Sequence, residues 1–188
     1  RSGSILGRCH RFSVCIYVDT FEIKNAEFTV YGPMDRSSEI RFAAEMTLGK
    51  LSKWLRILGF DTVYAANLAG EKLIDTARDR ILLTRTKRIR NMKIAKERIF
   101  ITSNCPSEQL REVVLALSIT KEDIRPFSRC IQCNASIRFV EKNTVRGKVP
   151  DYIWESQDTF YTCSHCRRIY WSGSHIRRSR DIIHRLFT

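Results

Sequence analysis

The sequence predicts an α/β protein with a small β-rich appendage, and three observations carry that prediction. From Glu39 to about residue 126, short apolar runs alternate with stretches of helical period, the pattern of strands and helices that builds a parallel sheet covered on both faces. Beyond it, Cys130-Ile131-Gln132-Cys133 and Cys163-Ser164-His165-Cys166 form two Cys-x-x-Cys knuckles. Two such knuckles are the ligand set of a structural zinc site, in which four thiolates close a tetrahedron and leave no position open for chemistry. The 43% hydrophobic content over 188 residues is enough for one ordinary core and a satellite.

Taken in order, residues 1–38 form an N-terminal extension. Its strand-like runs, Arg11 to Val18 and Ala26 to Tyr31, suggest a hairpin ahead of the turn-prone Gly32-Pro33. Residues 39–126 form the α/β domain. Ile40 to Glu45 reads as a strand, and Leu48, Leu51, Trp54, Leu55 and Leu58 then recur with helical spacing. Lys50, Lys53 and Arg56 take the other face, and Gly59 ends the helix. Asp61 to Ala65 reads as a second strand and Glu71 to Arg78 as a second helix; Arg80 to Thr84 and Arg98 to Thr102 are further strands. Leu110, Val113, Val114 and Leu117 stripe a later helix, with Asn104 or Ser107 as its expected N-cap and Pro106 in its first turn. In such folds reactive groups gather at the carboxyl ends of the strands.

Residues 127–188 hold the ribbon and a C-terminal helix. Phe139 to Val145 and Phe160 to Tyr161 are expected to form a hairpin between the knuckles, and Ile176 to Phe187 the helix. His165 and His175 are not needed once four thiolates bind an ion. Cys9, Cys15 and Cys105 share no such spacing and read as small buried hydrophobes. Unoxidised cysteine knuckles point to a reducing compartment. If the ribbon folds by itself, Cys163→Ser should unfold it and spare much of the α/β core.

The strongest statement about partners is electrostatic. A formal charge of +13 and a pI near 9.8 attract polyanions over a Debye length of about 8 Å at physiological salt, and RNA or DNA leads the candidates. One basic group is Arg85, Lys87, Arg88, Arg90, Lys93 and Lys96; a second is Arg167, Arg168, Arg177, Arg178 and Arg180. Arginine forks onto phosphate and stacks on bases, and Tyr161, Tyr170 and Trp171 are either stacking platforms or packing residues. Each charged run also has the plainer reading of a solvated face. No run of 18 apolar residues exists, so no membrane partner is expected. A first residue of Arg suits a precursor stripped of an organelle-targeting peptide, and a trimmed chain equally well. The expected location is the mitochondrial matrix, with the cytoplasm as the alternative.

The run from Phe42 to Tyr64, in which Glu45-Met46-Thr47-Leu48-Gly49-Lys50-Leu51 leads into Trp54-Leu55-Arg56-Ile57-Leu58-Gly59-Phe60-Asp61, resembles the opening of a PIN-like ribonuclease domain. That domain is known from the C-terminus of Mut-seven exonucleases and from small bacterial and archaeal proteins. Arg80-Ile81-Leu82-Leu83-Thr84-Arg85, Gln109-Leu110-Arg111-Glu112-Val113 and the two knuckles ending in Ile169-Tyr170-Trp171-Ser172-Gly173-Ser174-His175 follow in the same order. The resemblance spans about residues 39–186. It implies a three-layer α/β/α domain with an appended zinc ribbon, and an ancestral RNA cleavage that uses Mg²⁺ or Mn²⁺ held by acidic side chains at strand ends.

Carried over residue by residue, the first acid falls on Glu45, where the family usually has Asp. The second falls on Glu71, and the third on Thr86, which is neutral and flanked by Arg85, Lys87 and Arg88. Losing even an outer-shell partner weakens metal binding roughly 10- to 100-fold, so the resemblance implies a vestigial or weak catalytic pair. Glu45 also reads as a strand-end acid balancing nearby arginines, and Glu71 as a first-turn acid favoured by the helix dipole. Two functions follow. One is a non-catalytic RNA-binding component of a ribonucleoprotein, the mitochondrial ribosome being the particle that suits the charge. The other is a divalent-metal-dependent endoribonuclease using Glu45 and Glu71.

Overall fold

The computed structural model describes residues 40–65, 71–90 and 97–188. The hairpin expected before residue 39, together with Lys93 and Lys96, lies outside them. Four strands form a parallel sheet in the order β2-β1-β3-β4: β1 (Arg41–Glu45), β2 (Asp61–Ala65), β3 (Ile81–Thr84) and β4 (Arg98–Phe100). In register, Glu45 lies beside Ala65 and Ala44 beside Leu83. Helices α1 (Gly49–Ile57), α2 (Glu71–Thr76), α3 (Lys87–Arg90) and α4 (Pro106–Ala116) alternate with the strands, and a 3-10 turn, Met46–Leu48, leads from β1 into α1.

Strand alternation sorts the side chains between two layers. Phe42, Ala44 and Leu83 face α1 and α4, where they pack with Leu51, Leu55, Leu58, Leu110 and Val113. Ala43, Ala65 and Leu82 face the opposite way and pack with Leu73 of α2 and with Ala77. The expected α/β/α arrangement is therefore present, with the larger core on the α1–α4 side.

The chain closes α1 tightly. Gly59 has φ +98°, and a Cβ there would stand 2.3 Å from the Arg125 carbonyl oxygen, so only glycine fits this left-handed turn. The segment of residues 125–129 passes close by, with Arg125 N–H donating to Leu58 O at 2.8 Å and Phe127 N–H to Ile57 O at 2.8 Å. The expected N-cap of α4 is corrected to Cys105, which makes no side-chain capping bond; the Ser103 hydroxyl instead accepts from Cys105 N–H at 3.0 Å.

A second, antiparallel sheet has the order β5-β6-β7: β5 (Ile137–Val140), β6 (Phe160–Cys163) and β7 (Ile169–Tyr170). Ile137, Tyr161, Cys163 and Tyr170 join the main core. Phe160 and Trp171 pack instead with Val145, Val149 and Ile153. The strand expected to reach Val145 stops at Val140, because inward apolar residues then recur every four positions, not every two. Residues Lys142–Val145 form a 3-10 turn, and α5 (Asp151–Ser156) follows Pro150. Helix α6 (Ser174–Leu186) lays Ile176, Ile182, Ile183 and Leu186 on the main core. Among the described residues, no helix is long and apolar enough to cross a membrane.

Candidate functional site

Between β1 and β3 the strand order reverses, and the crevice beyond their carboxyl ends is where open α/β sheets hold ligands. Glu45 ends β1 there and is 3% exposed. Its Oε1 accepts from the Thr47 hydroxyl at 2.6 Å and from Arg85 N–H at 2.7 Å. Its Oε2 accepts from the Thr84 hydroxyl at 2.6 Å and from the Thr86 hydroxyl at 3.0 Å. Burial works against ionisation, but these four donors together hold the carboxyl below its ordinary pKa.

A carboxylate has two oxygens and about four lone-pair sites, and here four donors occupy them. Mg²⁺ and Mn²⁺ demand about six oxygen ligands. Among the described residues the crevice turns three hydroxyl hydrogens and one amide hydrogen toward Glu45, so a divalent ion would have to displace these donors to reach the carboxylate. Glu71, the expected second acid, begins α2. Thr86, at the third acidic position, has become one of the donors that seal Glu45. Thr47 and Thr84 belong to the site as well, and sequence reasoning missed them; the Thr-x-Thr spacing at the end of β3 was the available signal. Arg85 contributes its backbone N–H to Glu45, while its guanidinium binds the Asn104 side-chain oxygen.

The second candidate centre is the cysteine cluster. The sulfurs of Cys130, Cys133, Cys163 and Cys166 all lie within 4.8 Å of one another. Cys130 and Cys166 are 3.6 Å apart, and Cys133 and Cys163 are 3.3 Å apart. A tetrahedral ion with Zn–S bonds of about 2.3 Å needs sulfurs roughly 3.8 Å apart, so the donor set fits. Crowding also makes the thiols poor company for one another without a cation. Despite burial, hydrogen bonds from Ala135 N–H and the neighbouring thiols draw Cys133 down to about 6. Burial and bonds to the other three sulfurs push Cys166 up to about 12. The Tyr170 hydroxyl sits 2.9 Å from the Cys130 sulfur. Among the described residues, these four form the only His, Cys, Asp or Glu group placed to hold a metal ion.

The basic groups divide by their surroundings. Lys87, Arg88, Arg167, Arg168, Arg177 and Arg178 are exposed, and none of them forms an ion pair among the described residues. Lys87 and Arg88 open α3, directly after the Glu45 crevice. Arg180 is half-buried, with its guanidinium 6.0 Å from the Phe127 ring centre, and Arg90 ends α3. Tyr161, Tyr170 and Trp171 are at most 5% exposed, which removes them as stacking platforms; they are packing residues.

Arg56 departs most from its expected place. Periodicity puts it on the polar face of α1 with Lys50 and Lys53, yet it is buried. It donates to the carbonyls of Thr62 at 3.0 Å, Ile131 at 2.9 Å and Gln132 at 3.0 Å. Its partners on the first knuckle are remote in sequence, so no local pattern announces them.

No curated protein and no solved structure matches this chain. Residues 40–183 match the family model described as Mut7-C RNAse domain, a span that takes in both the parallel sheet and all four clustered cysteines, and the chain accordingly belongs to the Mut7-C RNase domain family.

Proposed function

We propose that this chain is a non-catalytic RNA-binding protein, a ribonuclease-type domain whose ion-binding crevice has been closed. The observation that carries this reading is the Glu45 carboxylate, with all its lone pairs taken by Thr47, Thr84, Thr86 and the Arg85 amide. The family supports a nucleic-acid partner, and the six exposed cations that form no ion pair among the described residues supply the means of holding a phosphate backbone without cutting it. We further propose that the four cysteines bind structural Zn²⁺ and that the protein serves as a basic component of a ribonucleoprotein. On this reading the mitochondrial ribosome is the particle and the matrix the location, supported by the +13 charge alone.

Filter binding of single-stranded RNA against salt tests the RNA reading. The log-log slope should fall near −0.7 for each phosphate neutralised, and an affinity indifferent to salt refutes phosphate-driven binding. Incubation with structured and single-stranded RNA in Mn²⁺ tests the absence of catalysis. Cleavage that disappears in Glu45→Gln overturns it in favour of the endoribonuclease built on Glu45 and Glu71.

A further inference from the structure

We infer that Arg56 and Asn134 form a latch through which metal binding by the cysteine knuckle fixes the edge strand β2 of the parallel sheet, with Arg56 acting as the outer-sphere cation of the four-thiolate cluster. The inference rests on the zinc reading above. Four thiolates around one divalent ion retain a net charge of about −2, and on the side where Cys130 and Cys163 are buried that charge favours a compensating cation nearby. Arg56 is placed for that role. Burial opposes its charge, while Cys130, Cys133 and Asp61 favour it. It also grips the carbonyls of Ile131 and Gln132, the two residues between the first pair of cysteines.

The other half of the latch follows Cys133. Asn134 has φ +70°, a left-handed conformation that turns its amide toward β2. Its side-chain oxygen accepts from Thr62 N–H at 3.0 Å, and its side-chain nitrogen donates to an Asp61 carboxylate oxygen at 2.7 Å. Arg80 holds the same carboxylate from 2.8 and 3.1 Å. Among the described residues β2 is an edge strand, and its Thr62 N–H, which points away from β1, is satisfied by Asn134. Arg56 closes the loop by donating to Thr62 O. An ion that shapes residues 130–133 therefore also sets the position of both backbone groups of Thr62.

The test uses the full chain, with zinc affinity measured by competition against a chromophoric chelator and amide exchange followed over residues 60–65. Chelation should speed exchange in 60–65 as well as in the ribbon. Arg56→Lys, which keeps the charge but loses the fork, and Asn134→Gly, which keeps the left-handed turn but loses the amide, should each weaken zinc binding roughly 10- to 100-fold. Asn134→Gly decides the matter if Arg56→Lys does not fold. Zinc bound as tightly by the folded variants as by the parent, or protection of 60–65 that survives chelation, overturns the latch alone. A parent chain that takes up no zinc overturns the zinc reading first and the latch with it.

Discussion

Glu45→Gln keeps the side chain's shape and removes its charge, and the geometry says what that does. Hydrogen bonds to a charged acceptor contribute about 1.5–3 kcal/mol and neutral ones about 0.5–1.5 kcal/mol, so each of the four bonds loses about 1 kcal/mol. The Arg85 N–H cannot reverse, which fixes the new amide oxygen at Oε1 and turns the NH₂ group toward Thr84 and Thr86. Thr84 already accepts from Thr86 N–H at 3.0 Å, so its hydroxyl must reorient in a crowded place. Burying a neutral amide instead of a charge offsets part of the loss, leaving a net destabilisation of about 2 kcal/mol. For a chain of this size that lowers Tm by roughly 4–8 °C.

The pH dependence sharpens the test. Glu45 is held below its ordinary value in the folded state, so its contribution is complete above the unfolded pKa of about 4.3 and disappears as pH falls through the lowered folded value. Thermal unfolding of parent and variant should differ fully at pH 7, and the gap should begin to close only below about pH 4.3, vanishing once pH has fallen through the lowered folded value. A variant as stable as the parent at pH 7 refutes the reasoning. So does a gap that acid leaves unchanged, or Mn²⁺ that raises the Tm of the parent but not of the variant.

Thr86→Asp sets a second carboxylate against Glu45 where a hydroxyl now donates; it should lower Tm at neutral pH and, unlike the parent, regain stability in millimolar Mn²⁺, as differential scanning fluorimetry will report. Gly59→Ala drives a methyl group into the Arg125 carbonyl at 2.3 Å and should cost about 1–3 kcal/mol in urea unfolding; a neutral result contradicts the close approach. Arg177→Ala with Arg178→Ala should flatten the salt slope of RNA binding by roughly 0.7 per lost contact without shifting Tm. An unchanged slope removes α6 from the RNA surface.

How much of this was legible depends on the range of the interaction. β1, β2, β3 and α1 follow from apolar alternation and period alone, since Phe42, Ala44, Leu51 and Leu55 each need only a neighbouring layer to bury them. The cysteine cluster was legible because metal ligation forces a fixed spacing. Arg56 was misread because its period matches Lys50 and Lys53, and what covers that side of α1 arrives from residues 131 and 132. The Glu45 crevice was half legible: Thr86 stood out by the acid it lacks, whereas Thr47 and Thr84 look like ordinary residues at strand ends until the fold turns their hydroxyls inward. Trp171 shows the same limit, as an aromatic among arginines that packs under Val149 and Ile153.

The placement of Asn134 on Thr62 has a bearing on how the polypeptide is made. Translation delivers β2 well before residue 134, so a nascent sheet emerges from the ribosome without the Asn134 contact on its β2 border, and exposed borders recruit extended segments of other chains. On the zinc reading proposed above, a chaperone or rapid completion must shield that border until the last third has been synthesised and its cysteines have gathered an ion; starving cells of zinc should then show up as aggregation of newly made chains before it alters those already folded.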